Sequence, residues 1–328
     1  MKAAVVGCGN ISRMHFSALN ELDDVEIVAV ADIKKDRADE KSALYNAKAY
    51  YDIDDMLNNE QIDCLHICTP HYLHTQMAVK ALGKGINVLI EKPCSVSNEE
   101  IKLLRKAQKE SGKQVAVCFQ NRYNLSTIAL KKAVLSGEYG AVKSIRAFVT
   151  WNRGEDYYSD DWHGTLEKEC GGVLINQAIH TIDLIQYIGG ECKSITAHIF
   201  NDHLQGVIEV EDTATVLMQL GNGVKAVLYA TLAYGENSDV FVEVCFENGI
   251  KLRLEGEKLF KIFTDGKTEE LCEKSKNDFI GQSYWGHGHS SLIADYYDCL
   301  KSGRKFEIDA FEGGKAAEIV AECYEQNR

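Results

Sequence analysis

Gly7-Cys8-Gly9-Asn10-Ile11-Ser12 follows a short apolar run, Lys2–Val6, and leads into an amphipathic stretch. The pattern is G-x-G-x-x-small, with Ser12 where glycine or alanine is usual. Gly7 permits a tight turn, Gly9 lets backbone approach a pyrophosphate, and a small third residue lets the next helix lie on the strand. The start of that helix, at Asn10 and Ile11, offers N–H groups and a positive dipole end to phosphate oxygens. Asp32 ends the next apolar run, 23 residues after Gly9, near the ~20 expected of a carboxylate that takes ribose hydroxyls. A carboxylate there repels a 2′-phosphate. NAD is therefore expected over NADP, a preference softened by Lys34, Lys35 and Arg37.

Two further groups could carry the chemistry such a cofactor serves. Ile90-Glu91-Lys92-Pro93 closes another apolar run, at the edge where open α/β sheets bind ligands. A lysine held there can neutralise a developing alkoxide, although strand-ending lysines are as often simply solvated. Proline occurs only twice, at Pro70 and Pro93, against roughly sixteen at ~5% usage. A proline kept directly after this lysine makes a cis Lys92–Pro93 bond the expectation, because it would turn the ammonium into the cleft. The second group is a polar stripe, Asn176, His180, Asp183 and Tyr187, opposite an apolar helical face of Leu174, Ile175, Ala178, Ile179, Ile182 and Ile185. Residues 173–188 contain no Lys, Arg or Glu, so the stripe suits a pocket better than bulk water. Oxidation of an alcohol needs a hydride acceptor and a base. Neutral His180 is suited to take the hydroxyl proton, Lys92 to stabilise the oxyanion and share the transfer, and Asn176 to keep substrate and histidine in register. Arg153, Tyr158 and Trp162 stand in an aromatic, hydrogen-bonding stretch that matches the flat faces and hydroxyls of a sugar. Each, taken singly, could equally be loop cover for a sheet end.

The elements that must hold these residues follow from hydrophobic periodicity. Val25–Ala31, Cys64–Cys68, Val88–Ile90 and Val115–Phe119 join Lys2–Val6 as compact runs rich in Val and Ile, expected as doubly buried parallel strands. Met14–Leu22, Thr75–Leu82 and Asn98–Ser111 read as the helices between them. Beyond about residue 121 the pattern alternates instead, with hairpin signals at Gly221-Asn222-Gly223 and Asn248-Gly249. The expected fold is thus α/β: a doubly wound Rossmann domain over 1–121, then an α+β domain over 122–328 with a large, mostly antiparallel open sheet. The last helix is expected to be able to pack back on the first domain. The net charge of −13 argues against nucleic acid or an anionic membrane as partner. Eleven scattered cysteines without a C-x-x-C pair read as reduced thiols in a cytoplasm. Cys64, His66 and Cys68 alternate on one buried run and suit packing better than zinc, and His71, His74, His287 and His289 read as loop or helix-start residues. No metal is expected.

The glycine loop, Asp32, Glu91-Lys92-Pro93 and the Gly171-Gly172 helix ending in His180 together resemble the Gfo/Idh/MocA oxidoreductases. The likeness extends to Thr69-Pro70, to Arg122 in Gln120-Asn121-Arg122-Tyr123, and to a closing segment around His287–Leu292. It implies an NAD(P)-dependent dehydrogenase acting on a secondary hydroxyl of a sugar, glycoside, inositol or nucleotide sugar. It also implies cofactor contacts at Gly7, Gly9, Asn10, Ile11, Asp32, Thr69, Pro70, His74, Glu91 and Lys92. Lys92, Arg122, Arg153, Tyr158, Trp162, Asn176 and His180 are the substrate contacts expected, and the C-terminal sheet supports a homodimer or homotetramer. The family often has Asp where this chain has Asn176, a departure that bears on the substrate. Two branches offer other activities: glycoside hydrolysis through transient oxidation by bound NAD, and cofactor sensing without catalysis.

Overall fold

Six parallel strands in the order β3-β2-β1-β4-β5-β6 form the first sheet. They are β1 (Lys2–Val6), β2 (Glu26–Ala31), β3 (Lys48–Tyr50), β4 (Cys64–Ile67), β5 (Asn87–Ile90) and β6 (Val115–Val117). This is the dinucleotide-fold order, whose direction of winding reverses between β1 and β4. The computed structural model describes residues 1–272 and 288–327. Ala3, Ala4, Val5, Leu65, Ile67, Val88 and Leu89 are wholly buried, as strands covered on both faces require.

Helices α1 (Ser12–Asn20), α2 (Lys35–Tyr45), α3 (Ile53–Asn59), α4 (His74–Gly83) and α5 (Asn98–Ser111) connect the strands. Ser97 caps α5 by accepting the Glu100 N–H, and Gly112, at φ +65°, ends it. The amphipathic pattern does not announce α2, because only Ala38 and Lys41 of its eleven residues are buried.

The second unit carries α6 (Leu125–Ser136), a π-helical turn at Leu174–Ala178, α7 (Ile179–Gly189) and an eight-stranded sheet. Its strands are β7 (Val142–Thr150), β8 (Cys192–Phe200), β9 (Thr213–Leu220), β10 (Lys225–Thr231), β11 (Phe241–Phe246), β12 (Lys251–Glu255), β13 (Lys258–Ile262) and β14 (Thr268–Cys272). They lie in the order β14-β13-β12-β11-β7-β10-β9-β8. Only β7 and β10 pair in parallel. Ala214, Val216, Met218 and Leu220 of β9 face the core, while Leu217 between them is 55% exposed. The alternation seen in the sequence is that of a sheet with one buried face.

The chain closes with α8 (Gly288–Ser302) and α9 (Gly314–Glu325). Contacts divide it into Met1–Phe119 with His289–Ala317, and Gln120–Gly288 with Glu318–Arg328. Residues 289–317, expected with the second domain from their place in the sequence, group with the first. Their hydrogen bonds explain it. The Tyr296 hydroxyl donates to the carbonyls of Val88 and Gln114, the Val117 N–H to Ile308, and the Arg105 guanidinium to Ala310 and Phe311.

Candidate active site

In the first unit the glycine loop sits where β1 ends, at the reversal of the sheet. Gly7 has φ +87°, and a Cβ there would lie 2.5 Å from the Cys68 carbonyl oxygen and 2.8 Å from the Thr69 nitrogen. Only glycine fits between the ends of β1 and β4. At Gly9 the nearest atom to such a Cβ is Arg37 Nη1, 3.8 Å away, so this turn is open on the side a ligand would approach. The N-cap residue of α1, Ile11, makes no side-chain capping bond, while Ser12 Oγ donates back to the Gly9 carbonyl at 2.6 Å. The Asp32 carboxylate accepts the Cys8 N–H (2.8 Å) through Oδ2 and the Lys34 N–H (2.8 Å) through Oδ1. Each oxygen keeps a further lone pair for a hydroxyl. These features fit a dinucleotide's pyrophosphate and ribose.

Lys92 is half-buried beyond β5, and the Lys92–Pro93 bond is cis, as expected. His74 was expected at the cofactor. Instead it is 1% exposed, with Nδ1 2.7 Å from the Pro93 carbonyl and Nε2 2.7 Å from the Thr69 carbonyl. Its ring ties together the loops that follow β4 and β5, and so shapes the edge without presenting itself there. Thr69 and Pro70 remain half-buried beside it.

Beneath Lys92 lies a chain of buried polar groups. Glu91 Oε1 is 2.9 Å from His15 Nε2, His15 Nδ1 is 2.9 Å from His66 Nδ1, and His66 Nε2 is 3.0 Å from the Tyr297 hydroxyl. A carboxylate only accepts, so His15 Nε2 carries the proton; counting donors along the chain then has Tyr297 donate to His66 and His66 to His15. Burial alone would raise the Glu91 pKa, but the His15 hydrogen bond and the nearby Lys92 charge hold it well below the carboxylate range. Burial holds His66 well below its ordinary value, consistent with a neutral ring. His15, Glu91 and Cys118 also offer three ligand atoms within 4.8 Å of one another, two of these residues being already joined by the His15–Glu91 hydrogen bond. His289 approaches Glu91 to 3.8 Å; His287 lies outside the described residues.

In the second unit the Gly171-Gly172 pair and Glu211 build the start of the helical stretch that carries Asn176 and His180. A Cβ on Gly172 would sit 1.9 Å from the Glu211 carbonyl oxygen. The Glu211 carboxylate accepts the N–H groups of Gly172 and Leu174 and the Tyr324 hydroxyl, each at 2.9 Å, and burial raises its pKa. The next turn is π-helical, a form that recurs at functional sites. Asn176 and His180 are both half-buried on it and on α7.

The expected polar stripe does not stay together. Asp183 is 1% exposed and grips Arg122 through two bonds, Nε–Oδ2 at 2.7 Å and Nη2–Oδ1 at 2.6 Å. The guanidinium also lies 4.4 Å over the Tyr187 ring. Arg122, expected at the substrate, is thus 4% exposed and held to α7. Arg153 is likewise buried, donating to the Asn152 carbonyl and Asn237 Oδ1 at 2.7 Å and stacking on Trp151 and Tyr157. Tyr158 and Trp162 stay half-buried, and Trp162 stacks on His163 at 3.8 Å.

One residue absent from the sequence-derived set joins this group. Glu169 is 1% exposed, and its carboxylate accepts the Asn176 side-chain amide and the Gly164 N–H. In sequence it looks like part of a solvated Glu-Lys-Glu run. Only its burial gives it away.

Comparison with known proteins agrees with this architecture. Residues 1–119 match the family model described as the oxidoreductase family with an NAD-binding Rossmann fold, and residues 127–250 match that of the GFO/IDH/MocA C-terminal domain. Glucose-6-phosphate 3-dehydrogenase of Bacillus subtilis is 27% identical, across 98% of this chain and 95% of the relative. Inositol 2-dehydrogenase of Salmonella typhimurium is 27% identical over 76% of this chain and 73% of the relative. The crystal structure of the WlbA dehydrogenase of Bordetella pertussis, in complex with NADH and UDP-GlcNAcA, superposes with a TM-score of 0.85 at 26% identity, covering 99% of this chain and 96% of that one.

Proposed function

The chain belongs to the Gfo/Idh/MocA oxidoreductase family, and on that premise we propose how its own residues perform the reaction. It is an NAD-dependent dehydrogenase that acts on the CH–OH groups of sugars or polyols. NAD, when bound, supplies the hydride acceptor. Gly7, Gly9, Asn10 and Ile11 hold the pyrophosphate, Asp32 the adenosine ribose, and Thr69, Pro70 and the backbone of Glu91 and Lys92 the far end. The Lys92 ammonium offsets the charge that gathers on the substrate oxygen as its carbon loses hydride. The imidazole of His180 takes the hydroxyl proton as general base. Asn176 holds the hydroxyl in register, and Tyr158 and Trp162 cover the sugar. Asp183 and Glu211 act on the helix, not on the substrate.

The observation that carries the assignment lies within the first unit. A glycine loop that admits no side chain at Gly7, a ribose carboxylate tied to it, and Lys92 share one edge of one parallel sheet. NADH formation over a panel of hexoses, hexose phosphates, glycosides, inositols and nucleotide sugars tests it. Reduction of NAD by none of them overturns the dehydrogenase assignment, and glycoside hydrolysis without net NADH identifies transient oxidation instead.

The exposed face of the second sheet is where the chain associates with itself. Phe200, Leu217 and Val227 are 44%, 55% and 40% exposed there, more apolar surface than one isolated residue. A monomer by light scattering at micromolar concentration would contradict this. All eleven cysteines are free thiols and no helix among the described residues is long and apolar enough to cross a membrane; a reducing cytoplasm is the setting that suits such thiols.

A further inference from the structure

Glu169 and Asn176 make a pair whose hydrogen-bond polarity can be read without ambiguity. A carboxylate has no proton to give, so the Asn176 atom at Glu169 Oε1 is the amino nitrogen Nδ2. The same nitrogen lies 3.3 Å from the Tyr157 hydroxyl oxygen. The other carboxylate oxygen takes the Gly164 N–H, so neither oxygen of this buried group is left without a donor. An asparagine can ordinarily turn over and exchange its donor and acceptor ends. Here it is held one way round, with Oδ1 at the end opposite Glu169.

We propose that Glu169 is a positioning residue that locks the Asn176 amide so that its carbonyl oxygen, an acceptor, is what the substrate meets. The inference rests on Asn176 being a substrate contact. Its chemical consequence is a preference at that position. The group bound there must be a donor, a free hydroxyl, and neither an ether oxygen nor a fluorine will serve. Polarity, not the identity of either residue, is the working quantity. A carboxylate at 176 could accept equally well, but not beside a carboxylate at 169, since two such groups in contact cannot both ionise. Exchanging the two functional groups restores the pattern. With Glu169→Gln and Asn176→Asp combined, the amide now at position 169 would accept the Gly164 N–H with its oxygen. Its amino group would donate to the carboxylate now at position 176, leaving an acceptor oxygen toward the substrate.

Four variants test this on the full-length protein with NAD present, using the best substrate of the panel. Asn176→Ala should lower kcat/KM at least tenfold while NAD affinity survives; an unchanged kcat/KM removes Asn176 from the substrate and the proposal with it. Glu169→Gln should raise KM severalfold with a smaller effect on kcat, because the amide is then free to turn. Asn176→Asp should lose at least tenfold in kcat/KM at mildly alkaline pH and regain part of it on acidification, when the two carboxyls share a proton. The double variant Glu169→Gln/Asn176→Asp should recover at least tenfold over Asn176→Asp and lose its acid-side recovery. An impaired Asn176→Ala together with an Asn176→Asp profile parallel to wild type overturns the proposal alone. So does a folded double variant no better than Asn176→Asp. If the double variant does not fold, the pH profile of Asn176→Asp decides by itself.

Discussion

Asp32 Oδ2 accepts the Cys8 N–H at 2.8 Å, so the carboxylate that ends β2 is fastened to the loop that ends β1. One group therefore shapes the glycine turn and is the one proposed to take the ribose hydroxyls. Asp32→Ala should weaken NAD at least tenfold and NADP far less, because removing the anion also removes its repulsion of a 2′-phosphate. Fluorescence titration with both reduced cofactors checks this. Equal losses for the two would mean that Asp32 serves the loop alone.

Lys92 and His180 should separate from cofactor binding in the opposite way. Lys92→Ala and His180→Ala are each expected to lower kcat by roughly two orders of magnitude, with NAD affinity retained. Steady-state kinetics with isothermal titration of NAD distinguishes this from a folding defect. Near-normal turnover in either variant removes that residue from the chemistry.

The Arg122–Asp183 pair should matter for stability. Both partners are buried, so Asp183→Asn leaves a guanidinium without its counter-charge, at a cost of about 3–5 kcal/mol. Arg122→Met/Asp183→Leu should be less destabilised than either single change in urea unfolding. If Arg122→Met keeps its stability and raises only the substrate KM, the guanidinium belongs to the ligand after all.

Acid sensitivity should come in part from His289. Burial pulls its pKa down to about 4, against about 6.5 in an unfolded chain. The unfolded chain binds the proton first, so stability is full above the unfolded value and falls as pH drops from about 6.5 toward about 4. At ~1.4 kcal/mol per unit this amounts to at most ~3.5 kcal/mol. Urea midpoints of wild type and His289→Asn at about pH 7.5 and about pH 5 read the difference. The variant's midpoint should shift less between the two. Parallel shifts would assign the acid sensitivity to other groups.

Much of this protein is legible in the sequence because it depends on local chemistry. The turn at Gly7, the doubly buried strands and the hairpin at Asn222 each follow from a few consecutive residues, since positive φ and two-residue alternation are properties of short segments. Asp32, Lys92 and His180 are legible for the same reason: each sits at the end or on the face of an element whose period can be counted. Helix α2 is not, because a helix polar all round carries no period. Strands β13 and β14 at the sheet edge are equally silent, as β14 exposes most of its residues. The fates of the polar side chains belong to the tertiary structure alone. His74, Arg122 and Glu169 have the same formal character in the sequence as any solvated histidine, arginine or glutamate. What makes one a tie between two loops, another half of a buried ion pair and the third a lock on an amide is the donor or acceptor each meets once buried. Those partners come from packing between segments distant in the chain or folded back on themselves, and no local pattern encodes them.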